Sequence, residues 1–148
     1  MSTQTQAVTV EVKKLISAPV ERVYQAWTDP TQLSKWFGCS KVVNLQVELD
    51  LRVDGQYRMD AETCENNKAG LVTGTYKEIV PNKKLVFTWN NDSQEFPAND
   101  TLVTVEFIDK GKSTEVVIKH TRFQVEKTAQ AHNMGWSESL DKLAAYLA

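Results

Sequence analysis

Histidine and cysteine are both scarce in this chain, at two residues each, and that scarcity removes whole classes of chemistry. A structural zinc or a catalytic iron needs three or four convergent ligands. His120 and His132, with two scattered cysteines, do not supply them at ligand spacing, so no metal and no metal cofactor is expected. Cys39 and Cys64 form no CxxC pair and read as reduced thiols, a Cys39–Cys64 disulfide being the lesser alternative. No run approaches the roughly 20 apolar residues that cross a bilayer. Met1 to Ala7 lack the basic-then-apolar plan of a signal peptide, so a cytoplasmic protein without membrane contact is expected. A basic excess is missing too. The 17 Lys and Arg stand against 19 Asp and Glu, a formal charge of -2, which argues against nucleic acid as a partner. There is no phosphate loop, no dinucleotide fingerprint and no nucleophile elbow, so neither a catalytic residue set nor an organic cofactor emerges.

What is present is patterning. A length of 148 residues with 41% hydrophobic and 24% charged suits one folded domain that buries a core. Residues 1–6 read as a mobile, disordered tail and 7–148 as the domain. Val8, Val10 and Val12 alternate with Thr9, Glu11 and Lys13, the mark of a half-buried strand. The alternation continues through Lys14 and Ile16, which puts Lys14 on the apolar face. Pro19 suits the first position of a helix whose stripe is Val20, Val23, Tyr24 and Trp27. A second short helix starts at Asp29-Pro30-Thr31-Gln32, with Asp29 as cap and Gln32 reaching back. Leu33, Trp36 and Phe37 give it an apolar side, and Gly38 ends it.

Strands fill the middle. Alternation runs from Val43 to Val53, Asp54-Gly55 signals a hairpin turn, and Tyr57, Met59 and Ala61 alternate on the return. Residues 65–70 read as a turn, 71–80 as a strand, and Pro81 to Lys84 as a turn into Leu85, Phe87 and Trp89. The polar stretch 90–100 reads as a longer loop, where function often sits. Strands over 102–108 and 114–120 follow. Then Val125, Ala129, His132, Trp136, Leu140, Leu143 and Leu147 advance by three and four, a helix of roughly 33 Å at 1.5 Å per residue. The order predicts an α+β fold: a curved antiparallel sheet of about seven strands around a long C-terminal helix, with two short helices after the first strand. A sheet that twists around a helix need not fill its interior, so a cavity between them is expected.

The run from Ile16-Ser17-Ala18-Pro19 through Trp27-Thr28-Asp29-Pro30, then Leu33 and Trp36-Phe37, resembles the opening of START-like (SRPBCC) helix-grip proteins. More narrowly, the chain resembles the branch named for the activator of the heat-shock-protein-90 ATPase homologue. Asp54-Gly55-Gln56-Tyr57-Arg58-Met59, Gly74-Thr75-Tyr76, Pro81 to Trp89, His132 to Trp136 and Leu140 to Leu143 match in order. The resemblance covers residues 8–148. The family often has Arg in place of Lys14, a Gly-Gly turn in place of Asp54-Gly55, and Trp-Trp in place of Trp36-Phe37. Members include co-chaperone domains, self-resistance proteins that bind a toxic small molecule or sacrifice themselves to it, and stand-alone bacterial domains. The resemblance therefore implies the helix-grip fold, with ligand binding in a stress or self-resistance role, or a chaperone partner.

Candidate ligand-binding residues are Lys14, Trp36, Phe37, Tyr57, Met59, Tyr76, Trp89, His132 and Trp136. His132 and Trp136, four apart, share the inward face of the long helix, as a polar handle and stacking wall or as plain core. Gly135 between them is read as allowing close helix–sheet approach. The tryptophans, with Phe37, Tyr57, Met59 and Tyr76, either line a cavity for a small apolar ligand or pack the core. Lys14 would anchor an anionic group, pair with Glu106 if that carboxylate points inward, or extend its amine to water. A pocket enzyme (isomerase, cyclase or hydrolase) with His132 as acid or base is a minor alternative. A monomer or weak homodimer is expected.

Overall fold

Period-two alternation and period-3.6 stripes each produce the element they predict, in the predicted order. The computed structural model describes residues 8–38, 42–63, 68–93 and 96–148. Its elements are β1 (Val8–Ile16), α1 (Val20–Thr28), α2 (Pro30–Trp36), β2 (Val42–Leu49), β3 (Gln56–Thr63), β4 (Lys68–Val80), β5 (Lys84–Asn91), β6 (Ala98–Asp109), β7 (Thr114–Phe123) and α3 (Glu126–Leu147). The expected tail 1–6 and both cysteines lie outside the described residues.

The strands form one seven-stranded antiparallel sheet in the order β1-β7-β6-β5-β4-β3-β2. From β2 to β7 it is a meander of neighbours, and β1 closes it by pairing with β7, Ile16 opposite Thr114 and Val12 opposite Ile118. This register fixes the inner face: Val10 and Ile16 on β1, Val103, Val105 and Phe107 on β6, and Val116 and Ile118 on β7 are all buried. α3 lays its stripe on that face, burying Ala129, His132, Trp136, Leu140, Leu143 and Leu147. Leu140 and Leu143 are almost wholly enclosed. Truncating such a leucine to alanine costs about 2–5 kcal/mol, which makes the helix inseparable from the sheet.

Local signals explain the short helices. Asp29 Oδ1 accepts the Thr31 N–H at 2.9 Å, capping α2, and Pro30 occupies the first turn, where no donor is missed. Gln32 reaches the Asp29 carboxylate at 3.3 Å rather than its backbone N–H, so the capping box forms in altered form. Pro19 stands one position earlier than expected, as the extended cap of α1. Gly38 follows α2 at φ 106, a left-handed conformation open to glycine, and its N–H meets Ser139 Oγ of α3 at 3.1 Å.

Several boundaries differ from the sequence reading. β2 stops at Leu49, and Leu51 and Val53 are exposed. Instead of a two-residue turn at Asp54-Gly55, residues 50–55 make a wider loop, closed by Asp50 N–H to Gln56 C=O at 3.0 Å. That loop pairs with β4, because Asp54 N–H reaches Tyr76 C=O at 2.8 Å and Tyr76 N–H reaches Gly55 C=O at 2.9 Å. β4 already runs at Lys68, where a turn was read, and β5 and β6 extend to Asn91 and back to Ala98, shortening the polar loop. Val125, assigned to the inner stripe, is instead the exposed cap residue of α3.

Candidate functional site

The way α3 sits on the sheet creates the site. It packs mainly on β1 and β7, α1 covers β6, and α2 covers β2. Between the first half of α3 and strands β2 to β5, a space of about 210 Å³ is left unfilled. Phe37, Leu45, Met59, Val72, Trp89 and Trp136 form its apolar walls. Asn91, Ser93, His132 and Ser139 bring the polar side chains. Ser93, Phe96 and Ala131 are only half-buried and mark the side nearest solvent.

Gly135 faces this space. A Cβ built on it would meet nothing within 4 Å, so the glycine does not serve a close helix–sheet approach, as its position suggested. It leaves room, and that room belongs to the cavity.

Trp136 anchors the deep wall. It stacks on Trp27 with ring centres 6.1 Å apart at 26°. It meets Trp89 at 5.0 Å and Phe37 edge-on at 5.5 Å. Its indole Nε1 donates to His120 Nδ1 at 3.0 Å. On the other side of that ring, His120 Nε2 lies 2.8 Å from Thr101 Oγ1, and the hydroxyl donates to Trp89 C=O at 2.7 Å. With Nδ1 accepting, Nε2 carries the hydrogen, and every group in the chain from Trp136 to Trp89 is satisfied once. Burial, with the nearby His132 ring, pushes His120 down to about 2, so it stays neutral.

His132 is held the other way round. Its Nδ1 lies 2.9 Å from Thr128 C=O, an acceptor only, so Nδ1 bears the hydrogen and Nε2 is left as an acceptor. Burial lowers its pKa, opposed by the bond to Thr128. Asn91 Oδ1 accepts the Ser93 N–H at 2.9 Å, which turns the Asn91 amide nitrogen toward His132 Nε2 at 3.5 Å.

Of the residues singled out from sequence, Phe37, Met59, Trp89, His132 and Trp136 come together around the cavity. Trp36 does not reach it; fully buried, it donates Nε1 to Ala26 C=O at 3.0 Å and braces α1 against α2. Tyr57 and Tyr76 sit in packed core beyond Met59, around a void of about 20 Å³, too small for a ligand. Tyr57 Oη donates to Thr88 C=O at 2.6 Å. Burial raises both phenols well above their ordinary range.

Lys14 shares the inner-face register of β1, yet the expectation that it anchors a ligand in the cavity is corrected. Its Nζ pairs with Asp141 on the exposed side of α3 at 2.9 Å, at the sheet edge away from the cavity. Its alternative partner Glu106 points outward and lies near Lys119 at 3.9 Å. Asn91, Ser93 and Phe96 also border the cavity; the sequence points to the 90–100 stretch but to none of the three within it. His120 lies in step with Val116 and Ile118 on β7, and that alternation, not ligand spacing, is the signal for its buried place. Among the described residues no cluster of three or more His, Cys, Asp or Glu could hold a metal, and no helix is long and apolar enough to cross a membrane.

A sheet gripping a long C-terminal helix, with a hollow between them, defines the chain as a helix-grip α+β protein of START-like type. The sequence model described as "Activator of Hsp90 ATPase homolog 1-like protein" matches residues 17–148, and the chain belongs to that family. No curated protein matches it. Among solved structures, a protein from Chromobacterium violaceum is 26% identical, with a TM-score of 0.80 over 94% of this chain and 96% of that one. A protein from Arthrobacter aurescens is 20% identical with a TM-score of 0.81, covering 99% and 89%. CalU16 from Micromonospora echinospora is 22% identical with a TM-score of 0.72, covering 96% and 77%. The last two likenesses speak for the fold alone.

Proposed function

We propose that this protein binds a small apolar molecule between α3 and β2–β5, without transforming it. The observation that supports this most is the 210 Å³ space walled by Trp89, Trp136, Phe37 and Met59. Its volume exceeds the roughly 150 Å³ that accommodates benzene. It falls below the ~300 Å³ at which typical ligand pockets begin. A compact molecule of about one ring suits it. Catalysis has little to draw on: Ser139 Oγ already donates to Gly135 C=O at 2.8 Å, and burial weakens His132 as a base.

Native mass spectrometry of freshly purified protein tests the reading. A co-purifying compact molecule, or saturable binding of toluene-sized probes, is expected. No adduct and no saturable binding would overturn it. In a self-protective role, cells lacking the protein would become sensitive to the compound that co-purifies.

A second reading, docking to a heat-shock-protein-90 chaperone, is favoured by the family's description. A pull-down with the host's own chaperone that recovers nothing would count against it.

A further inference from the structure

We propose that the cavity's ligand is neutral and carries a hydroxyl, which bridges His132 and Asn91 from the cavity side; this rests on the ligand-binding reading above. The polar corner of the cavity is unusually well defined in its hydrogens. His132 Nδ1 is committed to Thr128 C=O, so its Nε2 offers only a lone pair. Asn91 Oδ1 is committed to the Ser93 N–H, so its amide nitrogen offers only hydrogens. An acceptor and a donor therefore stand side by side, 3.5 Å apart.

That separation is at the outer limit of a hydrogen bond, and the contact between the two is weak. An oxygen set to one side of the pair, about 2.8 Å from each nitrogen, reaches both. A hydroxyl is the group that both donates and accepts through one atom. It gives its proton to His132 Nε2 and accepts from Asn91 Nδ2. A carbonyl or ether satisfies Asn91 alone, and a hydrocarbon leaves the two with only their weak mutual contact.

The described lining offers a charge no partner, and Lys127, over the Phe96 ring at 5.8 Å, stands on the solvent side. No Lys, Arg, Asp or Glu borders the cavity among the described residues. Lys14, on the inner-face register of β1, is engaged with Asp141. A carboxylate or ammonium would enter without a counter-charge, which costs far more than a shared hydroxyl. With the volume, the ligand class is a phenol or a compact cyclic alcohol.

The test is calorimetric titration of the intact protein with 4-ethylphenol, its isostere 4-ethyltoluene, and 4-ethylbenzoate. The phenol should bind tightest, about fivefold above the hydrocarbon, the scale of a net hydrogen bond. The benzoate should bind weakest. Asn91→Leu and, independently, His132→Leu should lose the preference for the phenol over the hydrocarbon. If 4-ethyltoluene binds the unmodified protein as tightly as the phenol, the hydroxyl inference is overturned while the apolar-ligand reading stands. Binding by none of the three overturns both. A preference that survives both substitutions overturns the assignment to these two residues.

Discussion

The indole of Trp136 and the imidazole of His120 are locked by one bond, Nε1–H to Nδ1 at 3.0 Å, and the indole can only donate. A second proton on His120 would therefore face a hydrogen already there. The pKa near 2, driven by burial and then by His132, has this geometric counterpart.

Acid sensitivity follows from that bond. A histidine whose folded pKa lies below its unfolded value of about 6.5 is protonated first in the unfolded chain, so stability falls as pH drops below about 6.5. His120 and His132 both shift downward, so both contribute. Each steepens the loss by up to about 1.4 kcal/mol per pH unit. Urea denaturation between pH 6.5 and 5 should show this slope, and His120→Gln should reduce it while lowering stability at pH 7.

Gly135 gives a prediction of the opposite sign. It is helical and its missing Cβ would enter open space, so Gly135→Ala should raise stability by about 1 kcal/mol through helix propensity. Gly135→Leu should project into the cavity and abolish binding of toluene-sized probes while the fold persists. Thermal denaturation and calorimetry on the pair separate the two effects. Destabilisation by alanine would mean that the site is tighter than its geometry indicates.

Gly74 should behave in the reverse manner. A Cβ there would lie 1.9 Å from Thr88 O and 2.7 Å from Tyr57 Oη. Gly74→Ala should cost at least about 2 kcal/mol, the scale of overpacking. Adding Tyr57→Phe should not rescue it, because the closest atom is backbone. Chemical denaturation of the single and double variants reads this directly.

Lys14→Met should leave ligand affinity unchanged. The Lys14–Asp141 pair is substantially exposed, so its loss should cost only about 0–1 kcal/mol. A tenfold fall in affinity would restore Lys14 to the site.

The parts of the fold written in local periodicity were legible. The α3 stripe from Ala129 to Leu147, the Asp29 cap and seven strands in order all follow from spacing and side-chain chemistry close in sequence. Leu51 and Val53 misled because alternation continues past Leu49, while the loop that ends the strand is held by Tyr76, more than twenty residues away. The site was half legible for a similar reason. Periodicity placed His132 and Trp136 inward, but whether a residue meets core or cavity depends on which half of the sheet α3 rests on. That decides the difference between Tyr57, in packed core, and Met59, two residues on, at the cavity wall. Lys14 had the right face and the wrong end of the sheet.

The pairing of β1 with β7 also has a meaning in time. Val8–Ile16 leaves the ribosome early, but its hydrogen-bonding partner, Thr114–Phe123, is made about a hundred residues later. At 5–20 residues per second, synthesis leaves that first strand unpaired for roughly 5–20 s. Its valines and Ile16 stay uncovered through the interval, and α3, which packs on β1, arrives last of all. The fold closes as a clasp whose two halves are the ends of the described chain. A nascent chain stalled before Thr114 would hold an open, unpaired strand edge.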